Sequence, residues 1–144
     1  MSKVMVVVAS HEAARVFEAP HGKSAVLEEN HDLLNPSARL HTGDLESDRG
    51  GSGGSGSAVH GMERERGAKE EELSRFVRAL AVVVNAAFHT GECDRIYLVA
   101  DPHVLGELRR HLDDDTRAVV AAEVVSNLVH HPAAEIRAHL PEVL

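Results

Sequence analysis

The chain has 144 residues, of which 43% are hydrophobic and 26% charged, with a formal net charge of −8. That is enough apolar material for one domain with its own core, and it excludes wholesale disorder. Aromatic residues make up only 3%, which excludes a stacking platform for single-stranded nucleic acid, and the acidic balance supplies no general counterion-release affinity for DNA or RNA.

Val4 to Ala9 are continuously apolar and mostly β-branched, which predicts a strand buried on both faces. Six apolar residues are too few for a signal-peptide core or a membrane span, so a cytosolic protein without membrane contact is expected. Ser10-His11-Glu12 is a turn, and Arg15 to Ala19 form a second strand. After Pro20-His21-Gly22-Lys23, Ser24 to Glu29 are expected as a third strand. Turns this short imply antiparallel neighbours. From His31 to Gly67 the periodicity fades.

Within that stretch, Gly50 to Ser57 is a run of eight glycines and serines with almost no side chain to bury and maximal backbone freedom. Residues 44–68 are therefore expected as one flexible loop within a single domain spanning 1–144. A long helix is expected from near Lys69, because Leu73, Phe76, Val77, Leu80, Val83, Val84, Ala87 and Phe88 recur at three- and four-residue intervals. Gly91 is its terminator. Arg95 to Ala100 form a fourth strand, and Asp101-Pro102 open a helix with Val104, Leu105, Leu108 and Leu112 on one side. Ala118 to Ala122 are expected as a fifth strand, and Pro132 starts a short final helix. The fold class is α/β: three antiparallel strands, then helix-strand-helix-strand-helix, with the later strands parallel. By analogy this is a ribonuclease H-like mixed sheet.

Several strings in this order resemble the bacterial host attachment protein family, described as required for attachment to host cells. They are Val8 to Glu18, Asp44 to Gly50, Glu72 to Phe76, Tyr97 to Arg109 and Val124 to Pro132. Ser10 stands where that family's first strand often ends in an acid, and Ser126-Asn127-Leu128-Val129 replaces a more polar closing turn. The family is similar in turn to the middle domain of archaeal and eukaryotic peptide-chain release factors. That domain carries a Gly-Gly-Gln loop between its third strand and its long helix. The equivalent place here holds Gly50-Gly51-Ser52 and Gly53-Gly54-Ser55, with no glutamine nearby. The resemblance therefore implies a non-catalytic relative that binds the ribosome, tRNA or a translation-associated partner. The segment Arg49, Gly50, Gly51, Gly53 and Gly54, with His60, Arg64 and Arg66 beside it, would make the contact; a plain flexible linker is the simpler account of the same residues.

The rival class is a metal-dependent nuclease or other hydrolase, which needs carboxylates converging at strand ends. Asp101 and Glu12 are the candidates, although Asp101 before Pro102 also reads as a helix cap. Eleven histidines show no zinc spacing: His103 and His111 are eight apart, His130 and His131 adjacent. Scattered, solvated histidines are expected, and neither metal nor cofactor is implied. Cys93, the only cysteine, excludes an internal disulfide. It sits between Glu92 and Asp94, which oppose thiolate formation. Asp113-Asp114-Asp115 reads as a solvated loop, and an exposed sheet edge would allow a homo-oligomer.

Overall fold

The computed structural model describes residues 3–36 and 57–144 of the chain. Five strands form one open sheet in the order β3-β2-β1-β4-β5: β1 (Lys3–Ala9), β2 (Ala13–Ala19), β3 (Glu28–Leu34), β4 (Cys93–Ala100) and β5 (Val120–Val125). Neighbours β1, β2 and β3 are antiparallel, while β1–β4 and β4–β5 are parallel. Helices that lie within the described residues are α1 (Ser57–His89), α2 (Pro102–His111), α3 (Asp114–Ala118) and α4 (Ala133–Ala138).

Alternation along the central strands creates two cores. Met5, Val7, Ala9, Ile96, Leu98 and Ala100 face one side, where α1 contributes Leu73, Phe76, Val77, Leu80 and Val84, and α2 contributes Val104, Leu105 and Leu108. Val4, Val6, Val8, Phe17, Tyr97 and Val99 face the other side. There the cover is Ala25, Leu27, Leu128, Val129, Ile136, Leu140 and Leu144, drawn largely from irregular segments. Successive strand residues point to opposite faces, so a continuous apolar run serves both.

Four expectations need correction. The third strand is Glu28–Leu34 rather than residues 24–29. Ala25 and Leu27 are apolar because they cover the second core as irregular chain. The strand itself is an edge, with mostly exposed residues, so it carries little alternation for the eye to find. Second, α1 begins at Ser57, so residues 57–68 are helical and not part of a loop. Strong helix formers (Ala58, Met62, Glu63, Arg64, Glu65, Arg66, Ala68) outweigh Gly61 and Gly67, which cost about 1 kcal/mol each. Third, Asp113 to Asp115 are not simply loop: Asp113 is the cap residue of the one-turn α3, and Asp114 and Asp115 occupy its first turn. Their charges suit the positive helix start. Fourth, β5 is consequently Val120–Val125, displaced from residues 118–122.

The termini of the main helices match the expected chemistry. Gly91 adopts φ +80°, its N–H donates to Phe88 O at 3.1 Å, and Glu92 N–H donates to Ala87 O at 2.9 Å. This paired closure needs a left-handed residue where only glycine is unstrained. Asp101 caps α2, its Oδ1 accepting from Val104 N–H at 2.9 Å, with Pro102 at the first helical position.

Candidate functional site

The chain leaves β1 toward β2 on one side of the sheet and leaves β4 toward β5 on the other. Between the carboxyl ends of β1 and β4 the strand order therefore reverses, the place where open α/β sheets offer a crevice. The β1–β2 turn is fixed there by local polar bonds. Ser10 Oγ accepts from Glu12 N–H at 3.1 Å and Ala13 N–H at 3.2 Å. Asn35, largely buried, donates through Nδ2 to His11 O at 3.0 Å, and through its backbone N–H to Glu12 O at 2.7 Å. Ser10 thus folds the turn.

Onto this rim the fold brings residues far apart in sequence. His11 Nε2 lies 3.2 Å from Asp101 Oδ2, and the His11 and His103 rings stand 5.7 Å apart, centroid to centroid. His130 Nε2 lies 3.7 Å from Glu12 Oε2. Asp101 and Glu12 both lie at this rim, but each faces its own imidazole and Asp101 also caps α2. Among the described residues, no group of three or more histidine, cysteine, aspartate or glutamate side chains is already arranged to hold a metal ion.

The closing turn at 129–131 is tied down from β2. Arg15 Nη1 donates to Val129 O at 3.0 Å and to His131 O at 2.6 Å. Its Nε and Nη2 grip Glu29 at 3.0 and 2.9 Å in a two-pronged pair. The guanidinium also lies 5.0 Å over the Phe17 ring. The Arg15 hydrogen bond, helped by one from Asp32, pushes the Glu29 carboxyl down to about 2. The same contact with Glu29, together with burial, raises Asp32 above the usual carboxylate range.

The histidines are spread over the surface and mostly solvated, yet several meet a carboxylate. Among the described residues six histidines, His11, His21, His89, His111, His130 and His131, lie within ion-pair reach of a carboxylate. Sequence spacing missed this because four of the six partners come from distant segments. Cys93 opens β4 as a buried residue. Burial first, then Asp94 and Glu92, pushes its thiol up to about 11, which suppresses the nucleophilic thiolate. Ser74 Oγ and Glu107 Oε2 approach His111 at 3.5 and 3.7 Å. Both meet the same Nε2, so the ring cannot relay a proton between them.

Of the residues expected to meet a partner, Arg49, Gly50, Gly51, Gly53 and Gly54 lie outside the described residues. His60, Arg64 and Arg66 fall in the first turns of α1. Among the described residues no helix is long and apolar enough to cross a membrane.

No curated protein matches this chain. A solved structure titled "Archaeal protein" aligns at 11% identity with a TM-score of 0.40, covering 95% of this chain and 36% of the other, so the chain spans well under half of that protein. The model of a family described as "Protein required for attachment to host cells" matches residues 5–140. The chain belongs to that family.

Proposed function

We propose that this host attachment family member works by binding rather than by chemistry. Its segment Arg49 to Ser57, with His60, Arg64 and Arg66 at the start of α1, engages the ribosome, tRNA or another component of translation. One observation carries the reading: a side-chain-poor glycine-serine run stands in the chain between the edge strand β3 and the long helix α1. A release-factor middle domain keeps its Gly-Gly-Gln loop in that position, and here the glutamine is missing. The strand order β3-β2-β1-β4-β5, antiparallel then parallel, supports the ribonuclease H-like arrangement on which the comparison depends. Arg49, Arg64 and Arg66 alternate with Asp48, Glu63 and Glu65, so the segment is not a basic patch and any phosphate contact would rest on individual arginines.

The test is co-sedimentation with ribosomes from lysate at low salt, comparing the intact chain with a deletion of residues 50–57. The intact chain should pellet with ribosomes and the deletion should remain above them. An intact chain that stays in the supernatant at low salt overturns the reading. The hydrolase alternative draws only on Asp101 and Glu12 sharing a rim. Cleavage of labelled RNA with magnesium or manganese, lost in Asp101→Ala, would replace binding with catalysis.

A further inference from the structure

We propose that the cleft between residues 24–27 and α4 binds an anionic amphiphile of the fatty-acid class, with its carboxylate on Arg137 and its alkyl tail along the apolar walls. Three observations converge on it. The first is size and lining. The cleft measures about 790 Å3, within the range of about 300–1,000 Å3 typical of small-molecule sites. Val26 and Leu27 line one side, Ala133, Ala134 and Ala138 of α4 the other, and Leu140 adds to the apolar surface. Leu27 and Leu140 are buried, whereas Val26 is 77% exposed. The three alanines carry nothing beyond Cβ, so α4 leaves a hollow that longer side chains would fill. A trough between two lengths of chain suits a linear tail, which would take the exposed Val26 out of water.

The second observation is a charge. Arg137 lines the same cleft. Arg15, Arg109, Arg110 and Arg117 each pair with a carboxylate. Among the described residues the partners of Arg137 are carbonyls alone, those of Ala25, Pro141 and Glu142. The Glu142 carboxylate, also at the cleft, pairs instead with Lys23 at 3.1 Å. An apolar hollow with a cation that lacks a counter-charge fits an anion with an apolar body.

The third observation is preorganisation. A guanidinium has five N–H groups. Three of those on Arg137 go to the carbonyls, each at 2.7 Å, which leaves two for a carboxylate. Bonds between a charged donor and a charged acceptor are the strong ones. The carbonyls also hold the side chain in place before a ligand arrives, so little rotamer freedom is left to lose on binding.

The experiment is isothermal titration calorimetry of the full chain with decanoate, octanoate and decylammonium. Decanoate should bind at one equivalent per chain, with a dissociation constant below about 1 mM. Octanoate, two methylenes shorter, should bind about 15-fold more weakly. Decylammonium has the same tail and the opposite charge, and should bind at least about 10-fold more weakly than decanoate. Ala134→Phe, which fills the hollow and leaves Arg137 in place, should abolish binding. Arg137→Gln should erase the preference for decanoate over decylammonium, a readout that a purely structural arginine would not move. Circular dichroism checks that each variant is folded, and if Arg137→Gln unfolds, Ala134→Phe and the decylammonium titration still decide. Ala86→Phe, in the separate cleft between α1 and β3, should bind as the parent does. A parent chain without saturable decanoate binding below about 1 mM overturns the proposal. So does equal binding of decanoate and decylammonium, or decanoate binding that survives Ala134→Phe.

Discussion

The two faces of the sheet are covered in different ways, and the difference shows what each kind of cover requires. On one face α1 and α2 lay apolar side chains onto Met5, Val7, Ile96 and Leu98. Their backbones are internally hydrogen-bonded, so apolar burial is the main hold, with Asn85 of α1 adding bonds to His111 O and Asp113 N–H where α2 ends. On the other face, residues 20–27, the closing turn and the C-terminal residues are mostly irregular chain. Irregular chain leaves carbonyls without partners, and burying such groups unpaired is costly. Two arginines answer that need. Arg137 on α4 donates to Ala25 O, Pro141 O and Glu142 O, each at 2.7 Å. Arg15 does the same for Val129 O and His131 O. The helical face is therefore held by apolar area and the irregular face by guanidinium forks.

The largest expected effect breaks the helical face. Leu80 is fully buried in α1, and Leu80→Ala should cost about 2–5 kcal/mol in urea unfolding through lost burial and a residual cavity. A loss below about 1 kcal/mol would mean that α1 is not the principal cover.

A smaller effect sharpens the other half of the comparison. Arg137→Ala removes three hydrogen bonds, one of them to the part-buried Ala25 O, and should cost about 1.5–3 kcal/mol, in line with bonds to a charged group. Arg137→Lys keeps the charge but not the fork and should recover only part of it. Hydrogen exchange should rise at the amides of Gly22, Ser24 and Leu144, which pair residues 22–24 with the C-terminal residues. Full rescue by lysine would show that charge, not geometry, holds this face.

The smallest effect concerns the Arg15–Glu29 grip at the edge of the irregular face. The Glu29 carboxyl is depressed to about 2 in the folded chain. Its stabilisation is therefore complete above the ordinary glutamate value and is lost as pH falls through that value toward 2. Asp32 is raised, so its sign is opposite: its carboxylate disfavours the folded state at neutral pH, and protonation relieves this. Glu29→Gln should destabilise by about 1 kcal/mol at pH 7 for this partly exposed pair, with the difference from the parent closing at acid pH. Asp32→Asn should be neutral or slightly stabilising at pH 7. Unfolding curves for both variants at neutral and acid pH check this, and a Glu29→Gln penalty that persists undiminished at acid pH contradicts it.

The sequence by itself determined β1, β4, the apolar stripe and C-terminal end of α1, and the start of α2. Each rests on a periodicity or a local cap that neighbouring residues specify. It misplaced β3, because an edge strand such as Glu-Glu-Asn-His-Asp-Leu-Leu buries too little to alternate, while apolar Ala25 and Leu27 served a core without being a strand. Only the tertiary structure decided the rim. His11, Asp101 and His103 meet because parallel pairing sets the tip of β4 beside the tip of β1, a neighbourhood that no spacing along the chain encodes.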